Sequence, residues 1–582
     1  MPSRMSKNFS QTSFMPSALK TAVIFLLLTL PWIHPFALGP TNSVVPLLVS
    51  WACAAGLALI GRPAQVPGSL LTVLGGLFML VMAVGLWPVG AMPGAEVLAL
   101  AMGLLAVLAC ALRFVSATQD DAVVLARAWL AAGLVSVLIG WVQYVGAADA
   151  VAPWVAATPG EAFGNLRQRN LYASLTSTAL CALLWLARSD PWFSRPARVA
   201  VPAVLLAAGN AISHSRTGLF ELLLILALAG VWGLYRQRQV RWTLGPVLPA
   251  YLAAALALPA LFNAIGMPGI FTRLSEGAPL CSSRMTLWSN VLELIGQKPW
   301  FGWGWGRLDY AHFITLYQGS GEGARFCDIL DNAHNLPLHL AVELGVPVAL
   351  GLCGAGLWAM WRARPWREVN PLRQLAWTVL GVILLHSLLE YPLWYGYFLL
   401  PAAWAWGFAL HPAQPAARRG GPAPWLVWAG AALVLAAVLA VADYARVAVI
   451  FSARPGLPPL EQRIAEGRRS VLFGHHADYA AVTSGVAVPD EARAFDRATH
   501  YLLDTRLMMA WSLALAEQGR LDEARHLAAR LREFRKPEAE AFFDVCEGAD
   551  GSAEAGASAP PFQCGLPERN LSWREVFSAG ER

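Results

Sequence analysis

Arginines and other polar residues cluster in four short segments of a chain that is otherwise rich in apolar residues. These segments are FGNLRQRNLYAS at 163–174, SHSRTGLFE at 213–221, a longer stretch at 281–335 and HSLLEYPLWY at 386–395. A guanidinium is a permanent cation whose planar fork of N–H donors matches phosphate oxygens, so several around one cavity would hold a diphosphate. The candidates are Arg167, Arg169, Arg216, Arg273 and Arg284. The alternative for each is a hydrogen bond to the free carbonyls at the end of a helix.

His334 lies in the sequence DNAHN at 331–335, directly before an apolar run. Imidazole titrates near neutrality, so this side chain can take the proton of an attacking hydroxyl. The same cluster is typical of a helix start, because Asp and Asn side chains accept hydrogen bonds from free N–H groups there. The two interpretations are compatible if Asp331 or Asn332 caps the helix and His334 acts as the general base.

Four ionisable residues fall close to the predicted surface of a membrane. Such groups are unfavourable in lipid and usually face a cavity or a charged partner. One or two of the acids are therefore expected to form salt bridges with the arginines. The four are Glu221, Glu343, His386 and Glu390.

The segment PWFGWGWGR at 299–307 is an aromatic-rich turn whose tryptophans are spaced by glycines. Aromatic faces suit sugar rings, but they also anchor proteins at a membrane interface, which is the more common role. The chain has no Asp-x-Asp motif, no G-x-x-x-x-G-K-[ST] phosphate loop and no zinc-type Cys/His spacing. If it binds a diphosphate, arginines rather than a divalent ion must balance the charge.

The composition indicates that these segments are positioned by membrane helices. Of 582 residues, 57% are hydrophobic and 14% are charged, and the mean hydropathy is +0.49. Soluble domains carry about 25% charged residues, and a net charge of +6 gives no indication of nucleic-acid binding. Runs of about 20 apolar residues can cross a bilayer. The predicted spans are 20–39, 43–61, 69–91, 96–112, 127–146, 170–187, 197–212, 217–235, 242–262, 336–361, 373–390, 391–411 and 424–446.

The distribution of basic residues predicts the orientation of these spans. The short turns at 39–42, 88–95 and 386–391 contain no Lys or Arg, whereas the loops that alternate with them are rich in Arg. By the positive-inside rule the N-terminus is cytoplasmic and the four polar segments lie together on the outer face. The first span also admits an interpretation as a signal peptide with cleavage near Ala37.

The predicted fold is all-α: a polytopic bundle of about 13 transmembrane helices in a bacterial inner membrane, with its site facing the periplasm. Four regions follow from this pattern. They are membrane helices at 1–262, a large periplasmic loop at 263–335, further membrane helices at 336–446 and a small periplasmic helical domain at 447–582.

Two cysteine pairs agree with a periplasmic location of the loop and the C-terminal region. Cys281 and Cys327 lie in the large loop, and Cys546 and Cys564 lie in the C-terminal region. An oxidising compartment would let each pair close, although two pairs of free thiols are equally compatible with the sequence.

The region after the last span is charged and has helical periodicity. Its stretch 508–532 is similar to a tetratricopeptide unit, with a helix ending before Gly519, a turn, and a second helix from about Leu521. A weaker helix is predicted near 460–472. Repeat folds need about three units, so a small helical domain that braces the large loop is at least as compatible with the pattern.

The order and spacing of three segments resemble the O-antigen ligase and polymerase superfamily. They are SRTGLFEL at 215–222, RMTLWSNVLELIGQKPWFGWGWG at 284–306 and DNAHNLPLHLAVELGVPVAL at 331–350. RQRN at 167–170 and HSLLEYPLWYGYFLLP at 386–401 resemble its protein-glycosylating branch, the bacterial protein O-oligosaccharyltransferases typified by pilin glycosylation ligases. The resemblance covers roughly residues 160 to 410.

The resemblance implies transfer of an oligosaccharide en bloc from an undecaprenyl-diphosphate carrier to Ser or Thr hydroxyls of periplasmic or pilin-like proteins, without nucleotide, metal or other cofactor. It implies that His334 is catalytic and that Arg216 and Arg284, with Arg169, bind the diphosphate. Gln168 and Asn170 match the Gln/Asn motif of the protein ligases. The remaining supporting candidates are Glu221, Asn335, His386 and Glu390.

Two alternatives stay open at the level of sequence. Within the superfamily, the alternative function is ligation of O-antigen to lipid A–core or polymerisation of repeat units. Outside it, a secondary transporter also carries ionisable groups within the membrane. The clustering of polar groups on one face and the lack of repeated halves favour the transferase.

Overall fold

The structure is a computed structural model that describes residues 17–60, 94–115, 119–155, 162–264, 280–317, 325–409, 424–534, 536–547, 561–569 and 571. Every regular element in these ranges is a helix. Five described helices are long and apolar enough to cross a membrane. They are Gln119–Tyr144, Arg169–Ser189, Arg238–Leu261, Val346–Arg367 and Val427–Ala448, the third of which has a short turn at 245–246. Shorter apolar helices accompany them, so the chain is a multi-pass membrane protein with a helical bundle.

The first half of the bundle contains nine helices in the described ranges. They are α1 (Ser17–Ile33), α2 (Val44–Ile60), α3 (Gly94–Val115), α4 (Gln119–Tyr144), α5 (Arg169–Ser189), α6 (Pro196–Ile212), α7 (Arg216–Val231), α8 (Arg238–Leu244) and α9 (Val247–Ala264). The predicted span 69–91 and the candidate Arg273 lie outside the described residues.

The remaining helices belong to the large loop, the second half of the bundle and the C-terminal region. The loop carries α10 (Arg284–Gln297) and α11 (Leu308–Ile314), and α12 (Leu336–Leu344) follows it directly. The second half of the bundle contains α13 (Val346–Ala363), α14 (Pro371–Ser387), α15 (Gly396–Ala409) and α16 (Pro424–Ala448). The C-terminal region contains α17 (Leu460–Gly467), α18 (Gly474–Ser484), α19 (Glu491–Tyr501), α20 (Thr505–Glu517), α21 (Leu521–Glu533) and α22 (Glu540–Glu547).

Helix α5 is the central element of the bundle. It packs against α4, α6, α7 and α14, and its apolar stretch is completely buried among them. A helix that is covered on all sides cannot shift without repacking every neighbour. The N-terminal end of α5 is therefore a rigid reference point for the residues near it.

The predicted single span at 336–361 is wrong, because the structure divides it at Gly345 into α12 and α13. Gly345 has a φ of 88°, a conformation that favours glycine. A Cβ atom there would also lie 2.2 Å from the carbonyl oxygen of Trp300. The tryptophan-rich turn thus approaches the backbone at the break, and Val346 N–H donates to the carbonyl of Pro299 at 2.8 Å.

The large loop and the C-terminal helices share one hydrophobic core. Leu287 and Val291 of α10 and Phe313 of α11 are buried together with Leu507 of α20 and Leu527 of α21. The predicted helical hairpin is confirmed in its bounds, since α20 ends at Glu517 and α21 begins at Leu521. The C-terminal helices therefore pack directly on the loop that precedes α12.

Polar contacts reinforce this shared core. The buried guanidinium of Arg325 bonds Glu533 of α21 at 2.5 Å and also donates to the carbonyls of His312 and Thr315. Lys536 pairs with Asp328 at 2.6 Å. Both cysteine pairs are closed as disulfides, Cys281–Cys327 in the loop and Cys546–Cys564 in the C-terminal region.

Candidate active site

Glu390 is the centre of the polar network that joins the predicted site residues. It lies in the turn between α14 and α15 and is buried. Its Oε1 accepts from Arg284 and, at 2.9 Å, from the amide of Asn170, and its Oε2 lies 2.6 Å from Nδ1 of His334. One carboxylate therefore connects the large loop, α10, α5 and the turn after α14.

The environment of Glu390 keeps its carboxyl group ionised. Burial by itself disfavours the charged form, but the hydrogen bond from His334 and the attraction to His334 and Arg284 outweigh it. The pKa of Glu390 therefore lies below the ordinary value of 4.5. The predicted pairing of an outer-face acid with an arginine is confirmed by this contact.

His334 is held in a specific orientation by this carboxylate. A carboxylate accepts but does not donate, so Nδ1 is the nitrogen that carries the proton in the 2.6 Å contact. In the neutral form of the ring this leaves Nε2 with its lone pair available, which is the arrangement a general base needs. The side chain is 27% exposed, so an incoming group can reach it.

The backbone at His334 adopts a conformation that non-glycine residues rarely use. Its φ is 48°, and such left-handed residues store roughly 1–3 kcal/mol of strain and concentrate at functional sites. The N–H of His334 donates to Oδ1 of Asn332 at 3.0 Å, which stabilises the turn. The ring edge faces Tyr391, with centroids 5.2 Å apart.

Three predicted diphosphate-binding arginines share one structural position: each is the first residue of a helix. Arg169 starts α5, Arg216 starts α7 and Arg284 starts α10. A cation at this end opposes the helix dipole, whereas an anion is favoured there by both the dipole and the free N–H groups. Three helix N-termini, each carrying an arginine side chain, therefore form a region suited to a bound anion.

Short hydrogen bonds tie these helix starts together. Ser215, the N-cap of α7, donates to Oδ1 of Asn170 at 2.7 Å, and it accepts from the N–H of Gly218 at 3.0 Å. The amide of Asn170 donates to Glu390, which also binds Arg284. The starts of α5, α7 and α10 are thus connected through two side chains.

The arginines differ in how many protein contacts they make. Arg284 is 40% exposed and uses two of its N–H groups on Glu390 and the carbonyl of Leu389. The side chains of Arg169 and Arg216 are exposed and form no hydrogen bond or ion pair with any other described residue. Both guanidinium groups are thus exposed at the starts of their helices, where a ligand can reach them.

A second polar layer lies one helical turn below Asn170. Ser174 of α5 contacts the carboxyl of Glu221 and lies 2.6 Å from Nδ1 of His386. All three side chains are buried. His386 and Glu221 therefore form a buried layer below the polar network that is centred on Glu390. Ser174, which joins the two, was not among the predicted site residues.

The helix caps at the site differ in part from those predicted. The expectation that Asp331 or Asn332 caps the helix is wrong, because Asn335 is the N-cap of α12 and accepts from the N–H of Leu338 at 3.1 Å. The side chain of Asn332 instead holds the turn at His334, so the helix starts after that histidine. The amide of Asn335 also donates to the carbonyl of Leu388 at 3.0 Å.

Gln168 has a capping role that its sequence motif did not indicate. Its Oε1 accepts from the N–H of Leu171 at 2.7 Å and caps α5. The contributions of Ser215 and Tyr391 also escaped the sequence reasoning, although a Ser directly before a helix start is a recognisable N-cap signal. Among the described residues, no group of three or more His, Cys, Asp or Glu side chains is close enough to hold a metal ion.

Three family models match consecutive parts of the chain. Residues 162–187 match the family described as protein glycosylation ligase, and residues 201–353 match the O-antigen ligase family. Residues 374–544 match the C-terminal part of the family described as virulence factor membrane-bound polymerase. These matches include the starts of α5, α7 and α10, His334, and the turn with Glu390.

Two curated proteins of Acinetobacter baylyi are similar to the chain. The ComP-specific O-oligosaccharyltransferase is 26% identical over 263 residues, which are 43% of this chain and 44% of that protein. The general O-oligosaccharyltransferase is 28% identical over 147 residues, which are 25% of this chain and 24% of that protein. The matched regions thus span less than half the length of either relative. On these matches the chain is similar to O-oligosaccharyltransferases and to the O-antigen ligase and membrane-bound polymerase families.

Proposed function

We propose that the protein transfers an oligosaccharide en bloc from undecaprenyl diphosphate to Ser or Thr hydroxyls of periplasmic or pilin-like proteins. The names of the two relatives support transfer of oligosaccharide to oxygen. The match to the protein glycosylation ligase family at 162–187, which includes Gln168, Arg169 and Asn170, supports a protein acceptor.

The contact between His334 and Glu390 is the observation that carries this proposal. Because Glu390 holds the protonated Nδ1, Nε2 takes the proton of the acceptor hydroxyl as its oxygen attacks the anomeric carbon. The new bond joins that oxygen to the anomeric carbon, and the bond from the carbon to the phosphate oxygen breaks. The electron pair of the broken bond stays on the diphosphate.

The helix starts supply the charge that the leaving diphosphate needs. Arg216, Arg169 and the unused N–H groups of Arg284 bind its oxygens, and the free N–H groups of the helix starts add to them. Charge grows on the diphosphate during the reaction, so preorganised cations lower the barrier most. Asn170 and Glu390 keep the cations in position, and Glu221 and His386 support the start of α5 from below.

The proposal includes a topology. The chain has about 13 membrane spans in the bacterial inner membrane, with the site, the loop at 263–335 and the region at 447–582 on the periplasmic side. The loop disulfide supports an oxidising compartment. The hairpin α20–α21 belongs to a small helical domain of tetratricopeptide type, and the two groups of membrane helices are 1–262 and 336–446.

Reconstitution tests the proposed reaction. The purified protein is given an undecaprenyl-diphosphate oligosaccharide and a Ser/Thr-rich pilin-like peptide, with a chelator present, and the mass of the peptide is measured. We expect the peptide to gain the intact oligosaccharide. The same reaction with the His334→Ala protein should leave the peptide unmodified, which excludes a contaminating transferase.

A second acceptor is supported by the match of residues 374–544 to the membrane-bound polymerase family. The same base and cations would serve a sugar hydroxyl on lipid A–core or on a growing polymer. Parallel reactions therefore offer lipid A–core and a second lipid-linked repeat unit. Modification of either, with no modification of any peptide, would reject the protein acceptor and retain the transferase.

A further inference from the structure

The three tryptophans of the turn at 299–307 have different environments. Trp303 is fully buried, and its indole N–H donates to the carbonyl of Leu294 at 3.0 Å. Trp300 is 70% exposed. Trp305 is partly exposed and lies parallel to Trp394, with ring centroids 6.4 Å apart and an interplanar angle of 6°. One tryptophan is thus a core residue, one is free on the surface, and one forms a pair.

The pair of Trp305 and Trp394, here called the indole platform, is next to the candidate active site. Trp394 is 41% exposed and lies in the same short turn as Glu390 and Tyr391. Tyr391 faces the ring of His334. The platform is therefore carried by the segment that also orients the candidate base.

Buried side chains fix the platform relative to the turn at His334. The ring of His339 meets Trp394 edge-on at 4.8 Å, and its Nδ1 accepts from the N–H of Ala333 at 3.4 Å. Because Nδ1 accepts, Nε2 carries the proton and faces Oε2 of Glu343 at 3.3 Å. The other oxygen of Glu343 accepts from the N–H of Gly306 at 3.0 Å, directly after Trp305.

This arrangement differs from that of tryptophans that anchor a protein in a membrane. Interface tryptophans place a polar ring edge at the lipid headgroups and need no fixed partner. Here two rings lie parallel, and a buried His339–Glu343 pair holds both to the turn beside His334. Holding a flat aromatic surface in this way suits a ligand whose position relative to His334 matters.

We propose that the indole platform is a saccharide subsite that binds the glycan of the lipid-linked donor, beyond the sugar that forms the new bond. The aromatic face is electron-rich, so it attracts the positively polarised C–H groups on one side of a pyranose ring. A Ser/Thr-rich acceptor has no comparable flat surface to offer. This inference rests on the proposed function, since it assumes that the glycan extends from the carbon next to His334.

Donors of different length test the subsite. Trp305→Ala and Trp394→Ala are compared with Trp305→Phe and Trp394→Phe, and Trp300→Ala is the matched control from the same turn. KM and kcat are measured with a full oligosaccharide donor and with a donor that carries one sugar. Each Ala variant should raise the KM for the long donor roughly three- to tenfold, leave kcat and the one-sugar donor unchanged, and be largely rescued by Phe.

Other outcomes would overturn the inference. Equal losses with both donors, or a lower temperature of unfolding, would mean that the pair only supports the fold. A raised KM for the peptide with an unchanged KM for the donor would assign the platform to the acceptor. If the wild-type protein transfers nothing, saturation-transfer NMR with the free oligosaccharide still tests the subsite, because the Ala variants should lose the signal and Trp300→Ala should keep it.

Discussion

At the scale of single residues, Glu390 is unusual because three side chains from distant parts of the chain meet on its two oxygens. Asn170, Arg284 and His334 each give it a hydrogen bond. A buried carboxylate needs such partners, since an unpaired charge in this position would be strongly unfavourable. Ionised Glu390 is therefore both the support of His334 and the anchor of Arg284.

His334 and Glu390 are expected to affect transfer to different degrees. His334→Ala should leave the protein folded and the lipid donor bound but reduce kcat by about 10²–10⁴-fold, the usual contribution of a general base. Glu390→Gln removes the acceptor at Nδ1 and should reduce kcat by about 10–100-fold, as expected for a residue that orients another. Turnover and donor binding are measured separately. An active His334→Ala protein would reduce this residue to a structural role.

Arg216 provides the sharpest test of the anion site, because its side chain is exposed and forms no hydrogen bond or ion pair with another described residue. Arg216→Lys keeps the charge but loses the bidentate fork, so the KM for the donor should rise at least about tenfold while the unfolding temperature stays constant. Arg284→Lys should reduce transfer as well, but it also breaks contacts to Leu389 and Glu390.

Arg238→Lys is the matched control for that experiment. Arg238 is also the first residue of a helix, α8, but it lies in the part of the chain predicted to be cytoplasmic and stacks over Trp242 at 4.4 Å. Its substitution should leave the KM for the donor unchanged. Normal kinetics in both Arg216→Lys and Arg284→Lys would reject the diphosphate clamp and favour a capping role for these residues.

At the scale of elements, the starts of α5, α7 and α10 decide where the site lies. Each start has a side-chain cap, from Gln168, Ser215 and Ser283 respectively. Caps determine where a helix begins, and they therefore determine the direction in which its first residue points. The start of α10 depends further on the loop that leads into it, where Cys281 is bonded to Cys327.

The loop disulfide is expected to stabilise the start of α10. Removal of a native disulfide typically costs about 2–5 kcal/mol, so Cys281→Ser should lower the unfolding temperature and weaken donor binding through Arg284. Cys353→Ser, at a free cysteine in α13, is the control and should change neither. Thermal unfolding in detergent and donor titration provide the two measurements. Unchanged values in Cys281→Ser would show that α10 is positioned without the bond.

At the scale of the whole molecule, the C-terminal helices form part of the support for the site. Their core is continuous with that of α10 and α11, and Arg325 and Lys536 add ion pairs across the same boundary. The interpretation that this region braces the large loop therefore has direct structural support. The same helices could also hold a protein acceptor, because only their buried faces pack against the loop and their exposed faces remain accessible.

Reporter fusions test the proposed orientation of the whole chain. A reporter that is active only in the periplasm should give signal when fused after Arg454 and none when fused after Arg238, because Arg-rich loops stay in the cytoplasm. A second reporter that is active only in the cytoplasm should give the opposite pattern and controls for expression. If both patterns were reversed, the diphosphate site would face the wrong compartment for a periplasmic acceptor.

The sequence by itself determined the properties that depend on local pattern. Hydropathy predicted a multi-pass bundle of membrane helices, and turn residues predicted the hairpin α20–α21. The order of motifs indicated the similarity to O-antigen ligases that the family match also shows. The positions of the cysteines in the chain indicated the two pairs that form disulfides in the structure. These features follow from neighbouring residues and from their environment, water or lipid, so they can be recognised without a fold.

Only the tertiary structure decided which of the polar residues meet. Asn170 and Glu390 are separated by 220 positions, and Arg284 and Glu390 by 106, so no local pattern relates them. Three further features likewise depend on how the large loop approaches its neighbours. They are the helix break at Gly345, the N-cap at Asn335 and the pairing of Trp305 with Trp394. Burial, hydrogen bonding and ring stacking at these positions are properties of the packed chain, because each requires a partner that only folding brings into reach.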